Sequence, residues 1–182
     1  MEDVSKQFSE ALPEDITADI KKDLQTFASM ELIANPAFAD IAVQLKSRLP
    51  GSVTVEHIGA TAIPGSLTKG DLDICILVDA KDFPAVEAIL ATMYARNTGS
   101  IHTGFFAAFS KDDARPPLGI QLVARGSELD VFVAFRDALR ADAALVNAYN
   151  AIKKQHILGD ADTYRAAKST FIASVLAKQA LR

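Results

Sequence analysis

Along the first fifty residues, apolar positions recur at steps of three and four. Ile16, Ile20, Leu24 and Phe27 form one stripe of a predicted helix, Pro13 suits its first turn, and Asn35-Pro36 predicts its break. Phe38, Ile41, Val43, Leu45 and Leu49 predict a second helix, ended by Pro50-Gly51. From residue 52 the period changes. SVTVEHIG alternates and is β-branched, which predicts a strand over 53–58, and the glycine-containing GATAIPGSLTKG predicts a loop. LDICILV is an apolar run interrupted only by Asp73 and Cys75, so a buried strand is expected at 72–78. DAKDFPAVEAILATMYA reads as a helix with Asp79 and Asp82 as candidate caps. Further strands are expected within 101–109, at 118–124 and at 129–135, with Arg125-Gly126-Ser127 as a hairpin turn between the last two. Two helices are expected from Arg136 onward, the second after Gly159.

These elements divide a single domain over 1–182 into an N-terminal helical segment (1–49), a strand-rich core (50–135) and C-terminal helices (136–182). The expected class is α/β or α+β, a mixed β-sheet flanked by helices. An apolar content of 49% over 182 residues is enough for one core. The net charge of -4 argues against an extended nucleic-acid surface. No apolar run reaches the roughly 18–20 residues of a membrane span, and the acidic N-terminus has no secretory pattern, so a cytoplasmic protein is expected. One cysteine, Cys75, permits neither an internal disulfide nor a cysteine zinc cluster, and His57, His102 and His156 are too scattered for a metal motif. The oligomeric state is not legible.

Candidate chemistry concentrates in His57–Val78. A turn at Gly59-Ala60-Thr61 directly after a strand lets backbone N–H groups approach a phosphate, and the Thr61 hydroxyl offers another donor. Asp71 and Asp73, two apart at a strand start, share a face, and their repulsion would be relieved by Mg²⁺ or Mn²⁺. Lys69 lies where an ammonium could meet a substrate phosphate. Phosphate loop and metal strand together fit metal-assisted nucleotidyl transfer, with a nucleotide or phosphorylated small molecule as partner. The alternative is a catalytically weak module binding the same ligands. His57 either contacts substrate or holds the loop. Asp130 is the candidate third carboxylate, expected on the strand beside 118–124.

The turn followed by Asp-x-Asp resembles the signature of the nucleotidyltransferase superfamily. His57-Ile58-Gly59-Ala60-Thr61-Ala62-Ile63-Pro64-Gly65, with Lys69 and Asp73 following, resembles more closely the GrpB family of that fold. The resemblance continues at Phe135-Arg136-Asp137-x-Leu139-Arg140, at Tyr149 with Lys153 or Lys154, and at Tyr164-x-x-x-Lys168. It implies a nucleotidyltransferase-like fold and adds Arg136 to the substrate-binding candidates, without naming a substrate. Two departures stand out. Ala60 replaces the family's usual serine, and Ile120-Gln121-Leu122 occupies the strand where superfamily enzymes tend to carry a third carboxylate.

Overall fold

The computed structural model describes residues 25–156 and 161–180. The expected helix positions Pro13, Ile16, Ile20 and Leu24, and the break at Gly159, lie outside the described residues. A short strand β1 (Gln25–Thr26) leads into helix α1 (Phe27–Arg48), followed by β2 (Thr54–Ile58), β3 (Leu67–Thr68) and β4 (Leu72–Val78). Helix α2 (Phe83–Ala91) and the strands β5 (Ala95–Arg96), β6 (Phe106–Lys111) and β7 (Leu118–Ala124) complete the core. Helices α3 (Phe132–Ala141), α4 (Ala143–His156) and α5 (Ala161–Ala180) close the chain.

Five strands form one mixed sheet in the order β2-β4-β7-β6-β5, and β1 pairs with β3 outside it. β4 runs parallel to β7 and antiparallel to β2, so both faces of β4 must be covered by helices. One face carries Leu72, Ile74, Ile76 and Val78 against Leu45 of α1 and Val86 and Leu90 of α2. The other carries Cys75 and Leu77 against Phe135, Leu139, Val146, Tyr149 and Ile172 of α3, α4 and α5. The expected class and flanking helices are borne out. No helix among the described residues is long and apolar enough to cross a membrane.

Three expectations are corrected. Asn35-Pro36 does not break α1, which runs through Pro36. Pro36 is exposed and Leu32 is 83% exposed, so the Leu32 carbonyl that loses its amide partner lies on the water side. The strand expected at 129–135 is instead a turn leading into α3. β7 is already flanked on both sides, by β4 and β6, so the segment after it has no neighbouring edge to pair with. It buries Leu129 in the turn and then Phe135, Ala138 and Leu139 at helical intervals instead. The hairpin at 125–127 therefore becomes a strand-to-helix turn, in which Gly126 has φ 72°. Finally, the helix expected from Arg136 is two helices, broken at Asp142, whose Oδ1 accepts from the Ala144 amide at 2.8 Å.

Pro36→Ala restores an amide donor on the exposed side of α1. It is expected to raise stability by about 1–2 kcal/mol, read as an upward shift of the urea midpoint at unchanged slope.

Candidate functional site

The site is built at the start of β4, where the loop 59–71 brings two carboxylates to the sheet face covered by α3, α4 and α5. Asp73 pairs with Ile58 on β2 and Gly119 on β7, so its carboxylate stands between two neighbouring strands. It fits there because Gly119 and Gly59, the residue that follows Ile58, are both bare. A Cβ placed on Gly119 would lie 2.8 Å from Asp73 Oδ1, and one on Gly59, where φ is +71°, would collide with Asp73 Oδ2. Gly59 thus serves twice, adopting a left-handed turn and vacating the slot for Asp73. The Gln121 side chain hydrogen-bonds Asp73. Burial, reinforced by neighbouring Asp71, raises the Asp73 carboxyl to about 7, against the pull of Lys69 and Lys168 and that hydrogen bond.

Asp71 pairs with Lys69 at 3.3 Å. Three lysines face this pair of carboxylates. Lys69 comes from the loop, Lys153 from α4 and Lys168 from α5, the last two acting on each other as well as on Asp73. Lys153 is only 7% exposed. Its Nζ donates to Ser66 Oγ at 2.8 Å and to the Leu67 carbonyl at 2.5 Å, and lies 4.2 Å from the Tyr149 ring centre. Burial and Lys168 lower its ammonium to about 7. Asn150, one turn earlier on α4, takes the Leu67 amide on Oδ1 and donates to the Gly65 carbonyl, both at 2.8 Å. Asn150 and Lys153 thus clamp loop residues 65–67 to α4. Tyr149 and Tyr164 are hydrogen-bonded beside the cluster, and burial pushes both phenols up, Tyr164 to about 12.

Four of the sequence candidates therefore meet: Gly59, Lys69, Asp71 and Asp73. Others hold the turn from within. Thr61 is buried and its Oγ donates to the Asp71 carbonyl at 3.1 Å, so the single hydroxyl proton is committed. The 3.0 Å contact between Thr61 Oγ and His57 Nε2 must then use a proton on Nε2. His57 is 6% exposed and stacks on Phe38 with ring centres 5.1 Å apart. Burial, with Arg140 and Arg136 nearby, lowers its imidazole to about 4, so it is neutral at pH 7. Arg136 is also enclosed. It donates through Nη1 to Glu56 Oε2 at 2.7 Å and the His57 carbonyl at 2.8 Å, and through Nε to Asp137 at 2.7 Å. Arg140, one turn later, donates to the Ala62 carbonyl at 2.8 Å, so the two arginines bracket the turn.

Asp130 lies elsewhere. In the turn that replaces the expected strand, its Oδ2 accepts from the Gly126 amide at 2.8 Å, and its charge bears on Cys75 rather than on Asp73. No group of three or more His, Cys, Asp or Glu suited to a metal ion occurs among the described residues. Sequence reasoning passed over Gly119, while Gln121 entered only as a departure from the superfamily pattern and Lys153 and Lys168 only through the family resemblance. Lys153 carried a signal, since it shares the buried face of α4 with Val146 and Tyr149.

Residues 33–178 match the family described as GrpB protein. A UPF0157 protein of Vibrio cholerae is 33% identical over 135 residues, covering 74% of this chain and 71% of that protein. The crystal structure of conserved protein GrpB from Enterococcus faecalis superposes with a TM-score of 0.66 at 20% identity, over 86% of this chain and 98% of that one. The MgGTP-bound Cid1 poly(U) polymerase matches with a TM-score of 0.50 at 12% identity, over 69% of this chain. The present chain spans 42% of that polymerase, and the likeness is one of fold.

Two opposed pH responses follow. Between pH 6.5 and 4 the unfolded chain binds a proton at His57 that the folded chain refuses, so stability falls as pH falls. Between about 4 and 7 the folded chain retains a proton at Asp73 that the unfolded chain has lost, so stability falls as pH rises. In urea titrations from pH 4 to 7, His57→Gln leaves the falling component exposed and Asp73→Asn leaves the rising one, a contribution of up to about 3 kcal/mol. Parallel profiles for both variants and the wild type would refute these assignments.

Proposed function

The chain belongs to the GrpB family and has a nucleotidyltransferase-like fold, and we propose that its charged cluster binds a nucleoside triphosphate or a phosphorylated small molecule together with Mg²⁺ or Mn²⁺. The observation that carries this reading is the arrangement of charge. Two carboxylates on one sheet face stand opposite three ammonium groups contributed by a loop and two helices. Asp71 and Asp73 are hard oxygen donors that fit either cation, and the bare slot at Gly59 and Gly119 keeps Asp73 at the required place. A cation held there would neutralise charge on the phosphates. Lys69, Lys153 and Lys168 then take the phosphate oxygens that the cation leaves unpaired. Gly59 and Thr61 shape the adjoining turn, while His57 and Arg136 hold it still from behind.

Transfer of a nucleotidyl group to an acceptor is the second reading, supported by the likeness of the fold to a polymerase solved with MgGTP. The position of Asp130 and the neutral Gln121 weigh against it, because neither adds a carboxylate to the cluster. Binding is accordingly the primary proposal.

Calorimetry with a non-hydrolysable triphosphate is expected to show binding that requires Mg²⁺ or Mn²⁺. Asp73→Asn weakens it at least about tenfold and Lys168→Ala weakens it in either cation, while Asp130→Asn leaves it unchanged. Cation-independent binding, or an Asp73→Asn variant identical to wild type, would overturn the proposal.

A further inference from the structure

The third position facing the two carboxylates is an amide, and its surroundings decide how many cations the site can take. Cys75 pairs with Gln121 across β4 and β7, one step along from the Asp73–Gly119 pair, so Gln121 emerges on the face of Asp73. Its side chain hydrogen-bonds Asp73. Its Oε1 is buried and has no hydrogen-bond partner among the described residues. A buried amide oxygen without a donor marks a place where something else completes the site.

A second divalent cation beside Asp73 would need at least one more anionic ligand. Among the described residues the neighbours on offer are a neutral amide, two glycines and the three lysines, whose ammonium groups repel it. Asp130 is engaged in the turn after β7. Resting on the function proposed above, we infer that this is a one-cation site and that Gln121 sets that number. The single cation enters with the polyphosphate and takes its protein ligands from Asp71 and Asp73. Gln121 is a positioning residue: it orients the Asp73 carboxylate through its amide group and stands where a second cation would need a charge. Its vacant Oε1 receives a donor brought by the ligand, such as a water of the cation's shell.

The test counts cations. Wild type and Gln121→Glu are dialysed against Mn²⁺ with a saturating non-hydrolysable triphosphate, and bound metal and nucleotide are measured per chain. Electron paramagnetic resonance then reports whether two Mn²⁺ ions lie close enough to couple. The expected result is one Mn²⁺ per bound nucleotide in wild type, and two coupled ions in Gln121→Glu. Gln121→Ala keeps one ion but weakens its binding about tenfold, because Asp73 loses its orienting partner while no charge is added. Two ions in wild type overturn the inference whether or not any variant folds. A folded Gln121→Glu that still holds one ion overturns it as well. Binding of nucleotide with no Mn²⁺ at all, or of neither, is the distinct failure of the underlying function.

Discussion

A carboxylate lodged between two strands is the constraint on which the rest of this structure turns. Asp73 stands at the start of the central strand, and only bare backbone on both sides leaves room for it. That requirement fixes glycine at 59, and with it the direction in which the chain leaves β2. Once the chain turns there, Thr61 comes under Asp71 and His57 comes under Thr61. Each hydrogen bond in this series consumes one donor and one acceptor, so the turn is closed from within. Buried Arg136 and exposed Arg140 act from α3 on the same turn, one at each end. Neutral hydrogen bonds within the turn and two arginines behind it thus support a charged cluster.

The arrangement also separates two kinds of cationic side chain that look alike in sequence. Arg136 is 7% exposed and engaged by two carboxylates and a carbonyl, which suits the planar, many-donor guanidinium. Lysines occupy the other side of the carboxylates, each bringing a compact charge on a long stem. Lys153 joins the arginines in support, since its Nζ also grips Ser66 and Leu67.

Much of the core was legible because local and long-range signals agree there. The apolar run 72–78 and the alternation at 118–124 gave their strands, and the loop between β2 and β4 announced its glycines. The segment 129–135 misled because β-branched residues and alternation describe a surface that can pack, not the partner it packs on. With β7 enclosed on both sides, the partner was a sheet face, and the period became helical. Pro36 misled for the opposite reason, since an exposed carbonyl can be left to water. In the site, Asp71, Asp73 and Lys69 were legible from spacing along one strand. Gly119 was not, and Gln121, Lys153 and Lys168 stood out only through the family resemblance, because register and helix docking, rather than proximity in sequence, bring them to Asp73.

The clamp on residues 65–67 has a consequence for the order of assembly. Its two hands, Asn150 and Lys153, lie beyond every strand of the sheet. A growing chain that has emerged only as far as α3 already contains every strand and both arginines, yet it holds the segment ahead of Lys69 only through the pairing of β3 with β1. Maturation of the charged end must wait for α4, so during synthesis the polypeptide can acquire its framework before its carboxylates and helix-borne lysines are brought together.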